Sequence, residues 1–259
     1  MAEPPLYREY AELYDRIYSA KDYAAEARRL TRLARELNPS ARTLLDVACG
    51  TGRHLEQFRR SFDVEGVDAS PRMLSLARRR LGRSVRLTRA DMRSFDLGRE
   101  FDVLTCLFSA IGYVRTDADR RRTFRQFYRH IAPGGVALVE GWILPSRFRG
   151  ASVHLQTYDG PDLKIARASS SSRTGSTSRI EMRYLVAQVG RPVRHWREVH
   201  LNDLVEPREM LAAMRAAGFR ARMVRSPSYR DRGLFVGVRP RRPGPRRPTR
   251  DRARRARSS

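Results

Sequence analysis

Glycines and carboxylates stand in this sequence where a nucleotide-like ligand could be bound. The segment 46–54 (DVACGTGRH) places Gly50 and Gly52 between an apolar strand pattern and a helix pattern. Glycine lets the backbone approach a ligand closely, although a Gly-x-Gly segment by itself is more often a tight turn only. Asp68 ends the next strand pattern (VEGVD), where a carboxylate can accept hydrogen bonds from both hydroxyl groups of a ribose.

S-adenosylmethionine fits these positions better than a nicotinamide dinucleotide does. A dinucleotide fingerprint requires a third glycine at position 55, and this position is Leu55. Asp46 stands before the glycines, and Asp91 and Met92 follow the third strand pattern. These groups match the separate amino-acid, ribose and adenine parts of S-adenosylmethionine.

Strand and helix patterns alternate around these residues, which predicts an α/β fold with a doubly wound, mostly parallel seven-stranded sheet. Two helices, at 7–18 and 22–36, precede the sheet. Ser70 is the predicted N-cap of a later helix, with Pro71 at its first position. The strands are predicted at 43–47, 63–67, 85–88, 101–107 and 136–140 (after a 133–135 turn), and the helices between them at 53–62, from 70 onwards and at 118–131.

The hydropathy pattern changes after residue 140. Alternating segments at 153–158, 179–186 and 193–200 predict an antiparallel β insertion. A helix at 207–217 and strands at 220–224 and 233–238 then return to the core. The predicted division is therefore N-terminal helices and a cofactor-binding core (1–140), a substrate-side antiparallel insertion (141–200), a completing helix and strands (201–238) and a disordered Arg/Pro-rich tail (239–259).

The net charge of +25 is spread along the whole chain, and Lys21 and Lys164 are the only lysines among 53 basic residues. This preference for arginine over lysine along the whole chain indicates a general compositional bias of the source rather than a nucleic-acid-binding patch. The two cysteines form no disulfide framework and have no metal-ligand spacing, so no metal is expected. No apolar stretch reaches the roughly 20 residues of a spanning helix, and the first residues lack a signal-peptide pattern. We therefore expect a cytoplasmic protein without a membrane partner.

Successive motifs resemble those of the class I S-adenosylmethionine-dependent methyltransferases, which have a Rossmann-like fold. They follow the order and spacing of that family. The motifs are LLDVACGTGRHLE, VEGVDAS, RADMRSFDLG, FDVLTCLFSAIGYV and APGGVALVE.

A closer resemblance covers residues 7–238. It is to the N,N-dimethyltransferases that act on dTDP-linked 3-amino-hexoses in macrolide-type antibiotic biosynthesis, and it implies N,N-dimethylation of a nucleotide-activated deoxy amino sugar, with a homodimer as the suggested assembly. It rests on AELYDRIYSAKDYAAEA, DMRSFDLGREFD, FSAIGY, HWREVH and DRGLFVGV. The chain departs from the usual family pattern at Ala110, Gly141, Ile143, Leu144, Ser170 and 202–204, which the resemblance places on the substrate side.

The resemblance also implies roles for individual residues. Tyr14 reaches the methionyl end of S-adenosylmethionine, Asp68 holds the ribose, Asp91 and Met92 flank the adenine, and Leu107 lies near the sulfonium. Ala48 and Gly50 face the cofactor across the glycine turn. Tyr113, after the fourth strand, is the predicted catalytic residue. The predicted substrate-binding residues are Tyr7, Tyr23, Trp142, Arg167 and Arg232, and the two guanidinium groups suit a diphosphate.

Other residues have simpler structural interpretations. Tyr10 and Tyr18 are expected in the core, and Cys49 and Cys106 as small buried side chains rather than nucleophiles. The 169–172 serine run is expected to be a polar loop. His130, His195 and His200 lack metal-like spacing and are expected to be structural or substrate-lining.

Three other functions remain open from the sequence. The first is a methyltransferase for another small amine or hydroxyl group, such as a finished natural product. The second is a nucleic-acid methyltransferase, which the charge would explain but LFSAIGY does not match, because base N-methylating enzymes show an acidic-Pro-Pro-aromatic pattern there. The third is a non-enzymatic binding protein.

Overall fold

The computed structural model of the protein describes residues 4–241. Eleven strands lie in two sheets within this range, together with six α-helices. The strands are β1 (Thr43–Val47), β2 (Asp63–Asp68), β3 (Arg86–Arg89), β4 (Phe101–Cys106), β5 (Ile131–Glu140), β6 (Ser152–Asp159), β7 (Leu163–Thr174), β8 (Thr177–Gln188), β9 (Arg191–Asp203), β10 (Arg220–Val224) and β11 (Leu234–Val238). The helices are α1 (Ala11–Ile17), α2 (Tyr23–Leu37), α3 (Arg53–Phe58), α4 (Pro71–Leu81), α5 (Asp117–Arg129) and α6 (Pro207–Ala216).

The larger sheet confirms the predicted fold. Its seven strands have the order β10-β11-β5-β4-β1-β2-β3. The pairs of β1 with β2 and β4, of β2 with β3 and of β4 with β5 are parallel, while β11 runs antiparallel to β5 and β10. The order reverses at β1, which lies between β2 and β4, so the carboxyl end of β1 lies at the switch point where open α/β sheets bind ligands.

Two apolar layers bury the faces of this sheet. Successive residues of a strand point to opposite faces, so Leu44 packs with Leu55 and Phe58 on one side, while Leu45 packs with Phe124 and Phe127 on the other. Burial on both faces explains why the central strands are almost continuously apolar. The chain caps α4 as predicted, because the Ser70 hydroxyl accepts a hydrogen bond from Met73 N and Pro71 follows.

The smaller sheet is a four-stranded antiparallel meander, β6-β7-β8-β9. One of its faces packs on the N-terminal segment, where Leu6, Leu13 and Ile17 meet Ile165 and Val186. The sheet spans Ser152–Asp203, so it starts and ends later than the predicted 141–200 insertion.

The predicted polar loop at 169–172 is wrong. These serines lie in β7, where Ser169, Ser170 and Ser171 pair with both β6 and β8 and Ser172 pairs with β8. Consecutive serines show no apolar-polar alternation, so the periodicity that reveals a strand is missing. Pairing on both sides nevertheless satisfies their backbone groups.

The segment 133–135, predicted as a turn before a strand, lies within β5 in the structure. Ile131 pairs with Phe101 and Val136 with Val103, so the segment between them forms a bulge. Arg239 completes the bulge: Gly134 N donates to Arg239 O at 2.8 Å, and Arg239 N donates to Gly135 O at 3.0 Å. The predicted tail therefore does not begin at 239, and its remainder from residue 242 lies outside the described residues.

The first predicted helix is shorter than expected. A 3₁₀ turn, Pro5–Tyr7, precedes α1 at Ala11–Ile17. The second predicted helix is confirmed as α2, with the Asp22 carboxylate accepting from Ala25 N at its N-cap. Across residues 4–241, none of the helices has the length and apolar character needed to span a membrane.

We predict that Gly66→Ala destabilises the sheet. A Cβ at Gly66 would lie 2.7 Å from Leu55 Cδ1, 2.8 Å from Cys49 Sγ and 2.9 Å from Leu87 Cδ2. Overpacking of this kind lowers the free energy of unfolding by about 1–3 kcal/mol, measurable by urea denaturation. Gly150→Ala is the control, since its Cβ would have no atom within 4 Å. Equal stability of the two variants would contradict the prediction.

Candidate active site

The turn after β1 is built from residues with left-handed backbone conformations. Ala48, Gly50 and Gly52 have φ values of 59°, 55° and 78°. This conformation costs a non-glycine residue roughly 1–2 kcal/mol, so Ala48 is a strained position of the kind found at functional sites. A Cβ at Gly50 would have no protein atom within 4 Å. The turn therefore offers space beside an exposed stretch of backbone at the switch point of the sheet.

The Asp68 carboxylate joins this turn to the next loop. Its Oδ2 accepts a hydrogen bond from Gly50 N at 2.8 Å, and its Oδ1 accepts from Ser70 N at 2.8 Å. A carboxylate has about four acceptor sites, so these two bonds are compatible with the binding of ribose hydroxyl groups as well. The geometry of Asp68 thus fits the predicted ribose contact.

Asp46 lies in β1, before the glycine turn. Its side chain is buried, and its Oδ1 accepts from Thr105 Oγ1 at 2.7 Å, which links β1 to β4. Burial raises the pKa of Asp46 to about 6, partly opposed by the positive field of His54 and the hydrogen bond from Thr105. Asp46 therefore supports the glycine turn from inside the sheet.

Asp91 and Met92, which are predicted to flank the adenine, lie in the loop that follows β3. Ala90 N donates to Asp68 O at 3.1 Å, which sets Asp91 close to the end of β2. Arg93 donates to the Asp91 carboxylate from its backbone N, Nε and Nη2, at 2.8, 2.9 and 2.6 Å. These bonds lower the pKa of Asp91. Met92 packs at the edge of the apolar core, and the adenine contact of both residues stays a prediction.

Both cysteines are buried next to these loops, as predicted from the sequence. Burial raises the pKa of the Cys49 and Cys106 thiols, which disfavours the thiolate that a nucleophile requires. Leu107 is also buried and packs in the same apolar layer as Cys49. After it, Phe108 and Ser109 again adopt positive φ values, 53° and 61°.

The N-terminal segment is anchored across these loops by polar contacts. Ser70 Oγ donates to Tyr7 O at 2.8 Å. Thr51 Oγ1 donates to Asp15 Oδ1 at 2.7 Å, and Arg80 Nη2 pairs with Asp15 Oδ2 at 2.6 Å. Sequence reasoning missed Asp15 and Arg80, because an acidic and a basic residue 65 positions apart carry no motif of their own.

A row of aromatic rings follows from this anchoring. The ring centroids of Tyr7 and Tyr14 lie 5.9 Å apart, those of Tyr14 and Tyr18 4.7 Å, and those of Tyr18 and Phe108 5.0 Å. Burial raises the pKa of Tyr7 and of Tyr14 well above its usual value. The hydroxyl groups are therefore neutral hydrogen-bonding groups. Tyr18, expected only in the core, belongs to this row.

Tyr113 belongs to the same cluster, in a 3₁₀ turn (Ala110–Tyr113) after β4. Its hydroxyl lies 2.9 Å from the Tyr7 hydroxyl and 2.6 Å from His200 Nδ1. His200 Nε2 in turn lies 2.9 Å from Glu198 Oε1. The predicted catalytic residue is therefore connected to a histidine and a carboxylate whose connection has no signal in the local sequence.

The two arginines that are predicted to bind the diphosphate lie on different elements of the structure. Arg167 on β7 donates to the Tyr18 hydroxyl at 2.9 Å and also to Gln156, while its buried Nε has no hydrogen-bond partner among the described residues. Arg232, before β11, donates to Glu140 Oε1 at 2.9 Å. Glu140 Oε2 accepts from Phe108 N at 2.6 Å. Glu140 therefore connects Arg232 to the strained loop after β4.

Trp142 and Tyr23 lie at the margin of the cluster. Trp142 Nε1 donates to Ser178 Oγ at 2.9 Å, and its side chain packs closely against Gly112. The Tyr23 ring packs on His54 with centroids 4.9 Å apart. The structure gives both residues a packing role between elements, and their contact with a substrate stays a prediction.

A buried ion pair supports the second helix beneath Tyr23. Glu26 Oε2 lies 2.5 Å from Lys21 Nζ and 2.8 Å from His54 Nε2. Burial acts to raise the pKa of Glu26, but the hydrogen bond and charge of His54 and those of Lys21 outweigh it and lower that pKa to about 2. Lys21 Nζ also lies 4.9 Å from the Phe108 ring centroid. The pair therefore ties α2 to the loop after β4.

Fold and site geometry together define a class I S-adenosylmethionine-dependent methyltransferase. A family model described as a methyltransferase domain matches residues 44–135, from β1 into β5. The S-adenosylmethionine-bound structure of CalS10, an amino pentose methyltransferase from Micromonospora echinaspora involved in calicheamicin biosynthesis, is similar with a TM-score of 0.79 and 39% identity, covering 90% of this chain and 97% of that chain. S-adenosylmethionine is the cofactor.

More specific relatives cover almost the whole chain. It is 42% identical to the dTDP-3-amino-3,4,6-trideoxy-alpha-D-glucopyranose N,N-dimethyltransferase of Streptomyces venezuelae, over 89% of this chain and 98% of that protein. It is also 42% identical to the dTDP-4-amino-2,3,4,6-tetradeoxy-D-glucose N,N-dimethyltransferase of Saccharopolyspora spinosa, over 89% and 93%. The crystal structure of Streptomyces venezuelae DesVI matches with a TM-score of 0.84 and 41% identity, over 89% and 98%. The chain belongs to the family of the dTDP-amino-sugar N,N-dimethyltransferases.

We predict that Asp68→Ala weakens S-adenosylmethionine binding about 10- to 100-fold, since each hydrogen bond to a charged group contributes about 1.5–3 kcal/mol. Isothermal titration calorimetry measures the change. Asp63→Ala is the matched control, because Asp63 begins the same strand at its opposite end and is exposed. Unchanged affinity in a folded Asp68→Ala protein would contradict the assignment of this carboxylate.

Proposed function

We propose that this protein transfers two methyl groups in succession from S-adenosylmethionine to the amino group of a dTDP-linked deoxy amino sugar, in the cytoplasm and as a step of antibiotic biosynthesis. The observation that carries the proposal is the 42% identity, over nearly the full chain, to N,N-dimethyltransferases of such sugars. The neutral tyrosine hydroxyl groups, with Arg167 bonded to one of them and Arg232 linked through Glu140 to the loop after β4, support it, because the substrate combines an amine with a diphosphate.

The side chains act by positioning. S-adenosylmethionine supplies an electrophilic methyl group, so the protein must present a neutral amine with its lone pair aligned. Tyr113 and Tyr7, with hydroxyl groups 2.9 Å apart, orient the amine by hydrogen bonds. Arg167 and Arg232 bind the diphosphate, for which the planar guanidinium group is suited. In this proposal the four-stranded sheet, residues 152–203, forms the substrate side.

The acceptor is tested with purified protein, S-adenosylmethionine and a panel of acceptors. The panel contains dTDP-3-amino and dTDP-4-amino deoxy sugars, a finished aminoglycosylated natural product, simple amines and nucleic acid. Mass spectrometry is expected to show two methyl additions on an amino-sugar nucleotide, and one S-adenosylhomocysteine for each addition. Methylation of the finished natural product alone would contradict the proposal and indicate a methyltransferase that acts on a finished natural product. Turnover of nucleic acid with a steep salt dependence would indicate polyanion binding.

A variant that lacks residues 242–259 is the control for the basic C-terminal segment. We expect it to keep its turnover of the amino-sugar nucleotide, since the motifs shared with the N,N-dimethyltransferases lie within residues 7–238. Loss of turnover in this variant would connect the segment to catalysis. The cut is placed after Arg241 because Arg239 bonds to Glu100, Tyr128 O and Ile131 O.

A homodimer through the outer face of the four-stranded sheet is part of the same proposal. Val153, Leu155, Leu185 and Val193 are exposed by 80%, 71%, 54% and 61%, and contiguous exposed apolar side chains mark interaction sites. The cross-strand register places Leu185 opposite Ala166 and Leu155 opposite Ala168. In this proposal a second copy would cover these exposed apolar positions.

We predict that the Leu155→Glu/Leu185→Glu double variant is monomeric whereas the unaltered protein is dimeric, because the charges would be buried between the two copies. Light scattering on a sizing column measures the mass. Val189→Glu is the control, because Val189 is equally exposed but follows the end of β8. A monomeric unaltered protein would refute the dimer.

A further inference from the structure

A chain of hydrogen bonds runs from the tyrosine cluster into the smaller sheet. The Tyr7 and Tyr113 hydroxyl groups lie 2.9 Å apart, and the Tyr113 hydroxyl lies 2.6 Å from His200 Nδ1. His200 Nε2 lies 2.9 Å from Glu198 Oε1. His200 and Glu198 are buried, with exposures of 5% and 4%. A buried histidine and carboxylate are thus connected to the methylation site through one tyrosine.

Glu198 is held as a carboxylate by several donors. Besides His200, Leu6 N donates to its Oε2 at 3.0 Å, and the Tyr184 hydroxyl donates to its Oε1 at 2.9 Å. Burial acts to raise the pKa of Glu198, but the hydrogen bonds from His200, Leu6 N and the Tyr184 hydroxyl contribute to an overall lowering of that pKa. The charge is therefore stable in the interior.

An ionised Glu198 determines the tautomer of His200. A carboxylate only accepts hydrogen bonds, so the ring nitrogen that faces it, Nε2, carries the proton. In a neutral imidazole the other nitrogen, Nδ1, is then an acceptor. Tyr113 must therefore donate its hydroxyl proton to Nδ1. The Tyr113 oxygen can then accept a hydrogen bond from Tyr7 or from a group bound in the site.

Each of the two methyl transfers requires a deprotonated nitrogen. An ammonium group has no lone pair, so a protonated substrate amine must lose a proton before the first transfer. The first methylation produces another ammonium group, which must lose a proton before the second. Burial raises the pKa of Tyr113, so a lasting tyrosinate is unfavourable and a proton that reaches its oxygen must be passed on.

We propose that His200, oriented by Glu198, accepts the proton of the substrate ammonium group through the Tyr113 hydroxyl. The ammonium N–H bond breaks and its proton joins Tyr113 Oη, while the Tyr113 O–H bond breaks and that proton joins His200 Nδ1. A neutral amine, a neutral tyrosine and an imidazolium paired with the Glu198 carboxylate result. This inference rests on the proposed function for its substrate, and His200 and Glu198 are positioning residues that act through Tyr113.

The titratable groups around His200 come from three parts of the chain. Tyr7 belongs to the N-terminal segment, with its ring centroid 6.0 Å from that of His200. Tyr113 belongs to the turn after β4, and Glu198 and Tyr184 belong to the smaller sheet. The effect of pH on the relay therefore has to be measured in variants that leave the tyrosines unchanged.

The first test needs no substrate. Nitrogen-15 NMR of histidine-labelled protein reports the tautomer of each imidazole, and His200→Asn identifies the His200 signals among those of the five histidines. We expect the proton on Nε2 of His200, and a loss of this preference in Glu198→Gln. A proton on Nδ1 in the unaltered protein would overturn the relay, whatever the acceptor of the enzyme is.

The second test measures methyl transfer in His200→Asn, whose amide oxygen can still accept from Tyr113 but cannot take a proton. We expect kcat at pH 7 to fall about 100-fold with KM changed less than about threefold. Near pH 9.5 this loss of kcat should shrink to under about tenfold. That pH lies above the usual pKa of an α-amino group, taken as the reference for the sugar amine, so the substrate amine is then already neutral. His195→Asn, an exposed position on the same strand, is the matched control.

An equal loss in His200→Asn at both pH values, or a rise in KM with unchanged kcat, would overturn the relay in favour of a packing role. If the unaltered protein methylates no amino-sugar nucleotide, the proposed function fails while the tautomer measurement still decides the relay. Circular dichroism of each variant verifies that it is folded, and Glu198→Gln gives a second, independent perturbation of the same chain.

Discussion

The Asp68 carboxylate is the contact on which the geometry of the site depends. Its two oxygens accept from Gly50 N and Ser70 N, so one side chain sets the distance between the turn after β1 and the loop after β2. Ser70 then donates to Tyr7 O. The N-terminal aromatic segment is therefore positioned by the same loops that are predicted to bind the cofactor. The strained conformation of Ala48 persists because these neighbouring bonds hold the turn.

The tyrosine hydroxyl groups of the site are neutral, and several charged groups around them are paired. Its hydroxyl groups belong to tyrosines whose pKa is raised by burial. The charged groups around them form pairs, such as Arg232 with Glu140 and Arg80 with Asp15. This arrangement suits methyl transfer to an amine, because the donor is cationic and the acceptor must be neutral. The pairs also connect elements that are distant in the sequence, and so they shape the site as well as balance its charges.

Departures from the family pattern occur at 202–203 and at Gly141, where the end of β9 and the segment after β5 meet other elements, whereas Ser170 lies within the smaller sheet. Asn202 and Asp203 are buried, and Asp203 pairs with Arg120 of α5 at 3.0 Å. The Gly141 carbonyl accepts from Ser109 Oγ at 2.8 Å. These residues determine how the end of β9 and the segment after β5 meet the turn that carries Tyr113. In the proposed function this turn lies on the acceptor side.

The sequence by itself determined the parallel sheet, the glycine turn and the place of Asp68, because these depend on local periodicity and on glycines that need a left-handed backbone. It did not reveal β7, whose serine run lacks alternation, nor the role of Arg239, which completes a bulge in a strand about 100 residues earlier. Only the tertiary structure brought Tyr113, His200 and Glu198 into one chain and set Asp15 against Arg80. Such contacts join side chains across strands and layers, and no pattern of neighbouring residues encodes the distances between them.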